Sequence, residues 1–299
     1  MKVKIKIWAM PLLALGLTLI SAGTPSKLTF FVIGDWGRNG EYFQIPVAES
    51  MADMAQKQKT AFVINTGDAF YPNGVQSIND PLWKYAFEDI YKQHSLQCEW
   101  YGVLGNHDYY GNPQAQLDYS KVSRRWRMPS RYYTFAKDNV RFVFIDSNPF
   151  IEKYQAHKKG YSDLGKQNVS KQWRWIENTL AKSKEKWKVV IGHHPVYSAG
   201  MHGDNPELIN KLKPLLEKYK VDAYFAGHDH DLQHHAENGV NYFVSGAGSE
   251  VRDIVNRTSR TQYAEKIAGF AKVDVNNDSM VVKFIGINRN VLHSAKMVK

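Results

Sequence analysis

Five apolar segments of this sequence each run into a glycine that is followed at once by Asp, Asn or His. The segments occupy residues 28–34, 61–65, 100–104, 188–191 and 221–226. Continuous apolar runs that alternate with helical periodicity predict buried strands in a mostly parallel sheet covered on both faces. In such folds, ligands bind at the carboxyl ends of the strands. The recurrence therefore predicts one functional site built from these strand ends.

The side chains at the strand ends suit a metal site. In chain order the motifs read Gly34-Asp35-Trp36-Gly37, Gly67-Asp68-Ala69-Phe70-Tyr71, Gly105-Asn106-His107-Asp108, Gly192-His193-His194-Pro195 and Gly227-His228-Asp229-His230. Carboxylate and amide oxygens together with imidazoles suit iron, zinc or manganese. Each glycine tolerates backbone angles that let the chain turn sharply as it leaves the sheet, which aims the next side chain toward the crevice.

As a set, these motifs resemble those of the purple acid phosphatases, within the calcineurin-like metallophosphoesterases, over residues 28–287. The resemblance is greatest to the small, single-domain, tartrate-resistant form. It implies an α/β fold, namely a four-layer α/β/β/α sandwich with two mixed sheets. The most diagnostic residue is Tyr71. Many relatives carry Asp-x-His at the first strand end, whereas Gly37 stands at the His position here, and the Tyr71 phenolate is the ligand that replaces it and favours ferric iron.

The resemblance implies a binuclear metal centre that holds Fe(III) and a second divalent metal, which is Fe, Zn or Mn. The ligands implied for the iron are Asp35, Tyr71 and His230. Asp68 is implied to bridge the two metals. The ligands implied for the second metal carry neutral donors: Asn106, His193 and His228.

Two further histidines are implied to be catalytic. By the resemblance, His107 and His202 bind the substrate phosphate and protonate the leaving alkoxide, while a metal-bound hydroxide attacks phosphorus in line. Imidazolium at these positions requires acidic conditions. The implied enzyme is therefore a metal-dependent phosphoric monoester hydrolase, an acid phosphatase, with an acidic to mildly acidic optimum.

Other polar residues of the motifs are given lesser roles. His194 departs from the small form, where an aromatic residue is usual, and its contact with substrate is left open. Asp108 and Asp229 are expected to make local loop hydrogen bonds. His234 and His235 are expected to be surface residues.

Residues 1–22 have the pattern of a secretory signal peptide. Lys2, Lys4 and Lys6 give a basic start, and residues 7–22 carry no charge. This apolar run contains Pro11 and is short for a membrane span. We therefore expect a secreted protein, extracellular or periplasmic, with no membrane span after signal removal; an uncleaved N-terminal anchor stays the alternative. Residues 23–299 are expected to form one metallophosphoesterase domain.

The formal net charge is +10, and the signal segment contributes three lysines and no acid, so the mature chain is near +7. A basic surface attracts anionic substrates by long-range steering. The positive charge is scattered rather than massed on one stripe, so we expect no specific nucleic-acid partner. The expected partners are small phosphorylated substrates, with phosphoproteins or nucleotides among the candidates, and we expect a monomer. Cys98 is expected to be an inert packing thiol.

Two alternatives to the phosphomonoesterase stay open. The first is a phosphodiesterase or nuclease on the same scaffold, for which the basic segment 153–171 would hold a larger anion. Tyr71 and the absence of Asp-x-His argue against it. The second is a non-catalytic phosphate-binding or adhesive protein with a decayed site, and the presence of all seven implied ligands argues against that.

Overall fold

The computed structural model describes residues 28–156 and 163–299, together with Met1 and Val3. Apart from these two residues, the expected signal segment lies outside the described residues and stays a prediction. Within the described part of the chain, no helix is both long and apolar enough to cross a membrane.

The described residues form fourteen strands and five α-helices. The strands are β1 (Leu28–Ile33), β2 (Phe62–Asn65), β3 (Glu99–Gly102), β4 (Trp126–Arg127), β5 (Tyr133–Lys137), β6 (Val140–Phe144), β7 (Trp187–Ile191), β8 (Ala223–Ala226), β9 (Leu232–Glu237), β10 (Val240–Ser245), β11 (Thr261–Glu265), β12 (Gly269–Val275), β13 (Ser279–Gly286) and β14 (Val291–Val298). The helices are α1 (Gln44–Lys57), α2 (Pro113–Tyr119), α3 (Glu152–Ala156), α4 (Val169–Lys182) and α5 (Pro206–Lys218). Where the sequence predicts a helix over residues 82–91, a π-helical segment covers Trp83–Glu88.

The strands form two seven-stranded sheets. The order is β14-β13-β12-β1-β2-β3-β4 in the first sheet and β11-β9-β10-β8-β7-β6-β5 in the second. Strands β1 to β4 pair in parallel, as do β6, β7, β8 and β10, whereas the remaining pairs are antiparallel. Both sheets are therefore mixed. This confirms the fold that the resemblance implies and corrects the mostly parallel sheet that the apolar runs predict.

Two strands of the mixed sheets carry no apolar run and are therefore missed by a prediction based on such runs. Strand β14 has the sequence VLHSAKMV and is largely exposed at the edge of the first sheet. Strand β9 has the sequence LQHHAE and buries its first four residues, three of which are polar. Hydrophobic periodicity is the main sequence signal for a strand. Neither segment shows it, so β9 and β14 are harder to predict than the apolar strands.

The two sheets pack face to face and helices cover their outer faces. Phe30 of β1 stacks on Phe62 of β2 with ring centroids 5.2 Å apart, and both rings meet Phe142 of β6 edge-on. Helix α1 packs against β12 and β13. On the other side, Gln172 of α4 hydrogen-bonds to the backbone of Asp146, just after β6. The apolar faces thus bury one another, and the site forms where the parallel strands end.

Residues 148–170 are polar, basic and without periodicity, which predicts a long surface loop, and the structure shows that this prediction is wrong in part. Short helical segments form at Asn148–Phe150, at α3 and at Leu164–Lys166, and α4 already begins at Val169. The Phe150 ring stacks on Trp173 of α4 at a centroid distance of 3.9 Å. Aromatic packing therefore holds the start of this polar segment against α4.

Candidate binuclear metal centre

The five predicted strand ends meet between the two sheets. β1, β2 and β3 are parallel neighbours in the first sheet, and β7 and β8 are parallel neighbours in the second. Backbone hydrogen bonds join the ends: Gly34 N donates to Ser245 O across the sheets at 2.8 Å, and Gly227 N donates to His193 O at 2.9 Å. The shared edge that the glycine pattern predicts is present.

Three of the predicted ligands have a left-handed backbone. The φ angle is 58° at Asp35, 50° at Asp68 and 71° at His228. Asp and His tolerate such angles better than most residues, and backbone strain of this kind clusters at functional sites. The glycines supply space: a Cβ on Gly227 would lie 2.3 Å from Asp35 Oδ2, and one on Gly105 would lie 2.0 Å from Asp68 Oδ1. The sharp turns after the strands are thus made largely by the predicted ligand residues themselves. Gly105 and Gly227 leave the space that the carboxylates of Asp68 and Asp35 occupy.

Asp35, Tyr71 and His230, named here the phenol group, converge on one point. Tyr71 Oη lies 3.0 Å from Asp35 Oδ1 and 3.0 Å from His230 Nε2. The third edge of the triangle, from His230 Nε2 to Asp35 Oδ1, is 3.6 Å. Three donor atoms at these separations can share one cation.

Asn106, His193 and His228, named here the amide–imidazole group, converge beside it. His193 Nε2 lies 3.1 Å from Asn106 Oδ1 and 3.2 Å from His228 Nδ1. All three side chains are buried. These donors are neutral oxygen and nitrogen atoms, in contrast to the acidic oxygens of the phenol group.

Asp68 joins the two groups through a single oxygen. Its Oδ2 lies 3.1 Å from Tyr71 Oη and 3.4 Å from His193 Nε2. Its other oxygen, Oδ1, accepts a hydrogen bond from His107 N at 2.8 Å. The seven residues that the resemblance implies as metal ligands are therefore all brought together, and Asp68 lies between the two groups.

Burial makes the ionised forms of Asp35 and Tyr71 unfavourable unless positive charge is added nearby. Asp35 is fully buried, and this burial, opposed by His193 and reinforced by Asp68, raises the pKa of its carboxyl well above the usual range. Burial and the two carboxylates also raise the pKa of Tyr71. Burial lowers the pKa of His193, but the Asp68 carboxylate outweighs it and the result is a pKa of about 9. Cations would favour the ionised oxygens over their protonated forms.

The imidazoles of His228 and His230 are held neutral, which is the form that binds metals. Burial, with the neighbouring charges of His194 and His193, lowers the pKa of His228 well below the usual range. Burial and Arg252 lower the pKa of His230 to about 2. Hard acidic oxygens on one side and neutral donors on the other are a ligand set that fits two transition-metal ions.

His107 lies beside the phenol group and His202 beside the amide–imidazole group. The His107 ring lies 4.6 Å from the Tyr71 ring, and its Nδ1 is 2.7 Å from Pro72 O. The His202 ring stacks on His228 with a centroid distance of 4.0 Å. Each predicted catalytic histidine thus lies beside a different donor group.

His194 also approaches the site, and its donor atoms come within 4.8 Å of those of His193 and His228. Its ring nitrogens have other partners, however: Nδ1 lies 2.8 Å from Ser147 Oγ and Nε2 lies 3.3 Å from Tyr154 Oη. These contacts hold the His194 ring in place beside the site, and its contact with substrate stays as open as the sequence leaves it.

Several supporting contacts explain how the loops are held. As expected, Asp108 Oδ2 accepts from Asp68 N at 3.0 Å, and Asp229 Oδ1 accepts from His202 N at 3.0 Å. Ser147, which sequence reasoning missed, accepts at its Oγ from the backbone N–H of His193 at 3.3 Å. Ser147 follows β6, which ends without a glycine, so it lacks the signal of the other strand ends.

The expectation that His234 and His235 are surface residues is wrong. Their exposed fractions are 6% and 2%. Both lie on β9, which is flanked by β10 and β11. His234 Nδ1 lies 3.0 Å from His293 Nε2 of the other sheet, and His235 Nε2 lies 2.7 Å from Gln233 Oε1. Hydrogen bonds allow these polar rings to be buried.

Comparison with known proteins agrees with this geometry. Residues 28–232 match the family model of the calcineurin-like phosphoesterases, the class that the fold and site define. The chain is 38% identical over 287 residues to purple acid phosphatase 7 of Arabidopsis thaliana, covering 91% of this chain and 87% of that relative. It is 34% identical over 306 residues to tartrate-resistant acid phosphatase type 5 of Oryctolagus cuniculus, covering 93% of each. The chain therefore belongs to the purple acid phosphatases, a family of phosphoester hydrolases, which confirms the resemblance found in the sequence.

Among solved structures, the chain is similar to GAP50, described as the anchor in the inner membrane complex of Plasmodium. The TM-score is 0.80 at 26% sequence identity, and the match covers 91% of this chain and 89% of that one. The same fold is thus found in a protein described by an anchoring role.

Proposed function

We propose that this protein is an acid phosphatase that hydrolyses phosphate monoesters. In this proposal the phenol group holds Fe(III), and the amide–imidazole group holds a divalent Fe, Zn or Mn. The observation that carries the proposal is the convergence of seven donor side chains into two groups that share Asp68 Oδ2. When bound, the two cations would supply positive charge that polarises the phosphoryl group and lowers the pKa of a coordinated water.

The chain's own residues prepare the site for this chemistry. The backbone N–H of His107 holds Asp68 Oδ1, so that Oδ2 is left for both groups. The contact with the Pro72 carbonyl places the Nδ1 proton of His107 and leaves Nε2 to meet a phosphate oxygen. His202, stacked on His228, is placed to give a proton to the leaving oxygen.

The proposed acidic optimum follows from His202. His202 is exposed, but partial desolvation of its ring, only partly opposed by Asp229, lowers the pKa of its imidazole. A group with a lowered pKa carries its proton only at pH values below the usual 6.5 or so. Proton donation by His202 is therefore lost as the pH rises through its pKa, and activity on poor leaving groups falls with it.

We also propose that the protein is secreted and acts as a monomer on small phosphorylated substrates, phosphoproteins or nucleotides. The basic start and uncharged run of residues 1–22 support export. The positive net charge supports attraction of anionic substrates.

A non-catalytic role is the competing proposal, and the likeness to GAP50 favours it. Retention of all seven donors weighs against it, because three of them lie in left-handed backbone conformations. Such strain is costly and persists where the surrounding structure enforces it. A site without a ligand has no need of that strain.

Metal content and substrate turnover, measured on one purified sample, test the proposal. We expect one iron and one divalent metal per chain, with phosphate released much faster from a monoester than from a diester. Faster diester turnover would favour the phosphodiesterase alternative. A metal-loaded protein without turnover of either ester would favour the non-catalytic alternative.

A further inference from the structure

A charged pair lies against Tyr71. The guanidinium carbon of Arg38 is 3.9 Å from the centroid of the Tyr71 ring. The Nη2 of Arg38 donates to Glu250 Oε2 at 2.6 Å. The two side chains are only 16% and 27% exposed, so solvent and salt screen their charges weakly.

Glu250 also faces the imidazole of the phenol group. Its Oε2 lies 3.4 Å from His230 Nδ1 and 3.3 Å from Arg252 Nη2. The Nδ1 of His230 is buried and makes no aligned hydrogen bond. A carboxylate behind a metal-binding imidazole orients the ring and increases its basicity. Glu250 thus acts on the phenol group from two directions, through Arg38 and through His230.

We propose that Arg38 and Glu250 are positioning residues that set the electron donation of the phenol group to its metal. The inference rests on the proposed function, because it treats Tyr71 as an iron ligand. A cation over an aromatic face stabilises the π electrons of the ring. Arg38 therefore weakens donation from the Tyr71 phenolate. Glu250 strengthens it, because it offsets the guanidinium charge and supports His230.

The opposite signs of the two effects make the proposal testable. The visible band of an iron phenolate reports electron transfer from the ring to the metal, and the iron reduction potential reports how strongly its ligands favour the ferric state. Arg38 is stacked on the ring itself, so its charge stabilises the donor orbital more than the metal. Loss of that charge should lower the transition energy and the potential together. Loss of the Glu250 charge should raise the potential by both routes, whereas the route through Arg38 and the route through His230 shift the transition energy in opposite directions. The potential is therefore the readout for Glu250.

The experiment compares Arg38→Met and Glu250→Gln with the wild type in visible absorption and in iron reduction potential, with iron content measured for each. Methionine keeps an unbranched apolar stem over the ring, and glutamine is nearly isosteric with glutamate. We expect Arg38→Met to move the band to longer wavelength by on the order of 10 nm, as befits a cation–π contact of ordinary strength. Glu250→Gln should raise the iron reduction potential, whereas Arg38→Met should lower it, and Arg38→Lys should restore part of the wild-type band position.

Arg252→Met is the matched control, because Arg252 contacts Glu250 but is separate from the stacked contact on the Tyr71 ring. We expect a smaller shift there than in Arg38→Met. Potential shifts of the same sign in Arg38→Met and Glu250→Gln, no potential shift in either, or a band shift in Arg252→Met equal to that in Arg38→Met would overturn the inference and leave the proposed function intact. An iron-loaded wild type without a visible band would instead contradict the proposed function. If Arg38→Met does not fold, the direction of the potential shift in Glu250→Gln still decides the question.

Discussion

The phenol group and the amide–imidazole group lie side by side and share Asp68, yet their chemistry differs. The first contributes a carboxylate and a phenol whose pKa values are raised by burial. The second contributes an amide and two imidazoles, none of which becomes an anion. Anionic hard donors favour a trivalent ion, while neutral donors leave a divalent ion able to accept a phosphate oxygen. The comparison teaches that one shared carboxylate can support two metals with different tasks.

The largest effect should come from the residue that the two groups share. We expect Asp68→Ala to lower kcat/KM by more than about 10³-fold, well beyond the roughly 10–100-fold that losing an outer-shell partner costs. The content of both metals should fall in the same variant. Loss of only one metal would show that the groups are independent and that Asp68 does not bridge them.

Substitution of His202 and His107 tests the two groups separately, because each histidine lies beside a different group. His202→Ala should cost about 10²-fold or more on an alkyl phosphate, since general acid catalysis is typically worth 10²–10⁴-fold, and far less on a nitrophenyl ester. The alkaline limb of the pH profile should flatten. We expect this limb below the usual histidine pKa, because partial desolvation lowers the pKa of His202.

Rates on both esters across pH 4 to about 7, around the histidine pKa, provide the measurement. Equal losses on the two esters would restrict His202 to phosphate binding. His107→Ala, on the phenol side, should lose more overall, because its backbone and ring adjoin Asp68 and Tyr71.

Removal of a neutral donor should affect one metal only. Asn106→Ala, and His193→Ala by the same argument, should lower divalent-metal occupancy and reduce activity by on the order of 10²-fold, with iron content retained. Excess divalent metal should partly restore turnover. Unchanged metal content and activity in either variant would remove these residues from the site.

The smallest expected effects come from two serines whose hydroxyls hydrogen-bond to the backbone of a predicted ligand in each group. Ser147→Ala removes the hydroxyl that accepts from His193 N, so divalent-metal affinity should fall by about 10-fold with the visible band unchanged. Ser249→Ala is the matched variant, because Ser249 Oγ donates to Asp35 O at 2.6 Å on the phenol side. If both variants altered the same metal, the division into two groups would be wrong.

The strand-end pattern predicts the location of the site well because it records where parallel strands stop. The resemblance adds the division of the seven donors, and the structure brings all of them together. Ser147 and Glu250 were missed for a physical reason. β6 runs into Asp146 without a glycine, and β10 runs into Gly246 followed by an alanine. Neither end therefore shows the glycine followed at once by Asp, Asn or His that marks the other strand ends.

The fold, like the site, was predictable from the sequence only where a local pattern marks it. Buried parallel strands show continuous apolar runs, whereas β9 pairs its histidines with polar partners and β14 is exposed at an edge. Burial of His234 depends on hydrogen bonds to two polar residues. Asn241 lies on the neighbouring strand β10, and His293 lies far along the chain in the opposite sheet. Such long-range hydrogen bonding leaves no local pattern, which is why the surface expectation failed.

The visible absorption spectrum of the iron-loaded protein, compared with that of Tyr71→Phe, tests the central claim most directly. We expect the oxidised wild type to be pink to purple, because the Tyr71 phenolate donates charge to ferric iron in the phenol group. Tyr71→Phe should lose the band while the divalent metal stays bound in the amide–imidazole group and the fold is retained. A colourless wild type that contains iron, or a Tyr71→Phe variant that keeps the band, would contradict the account.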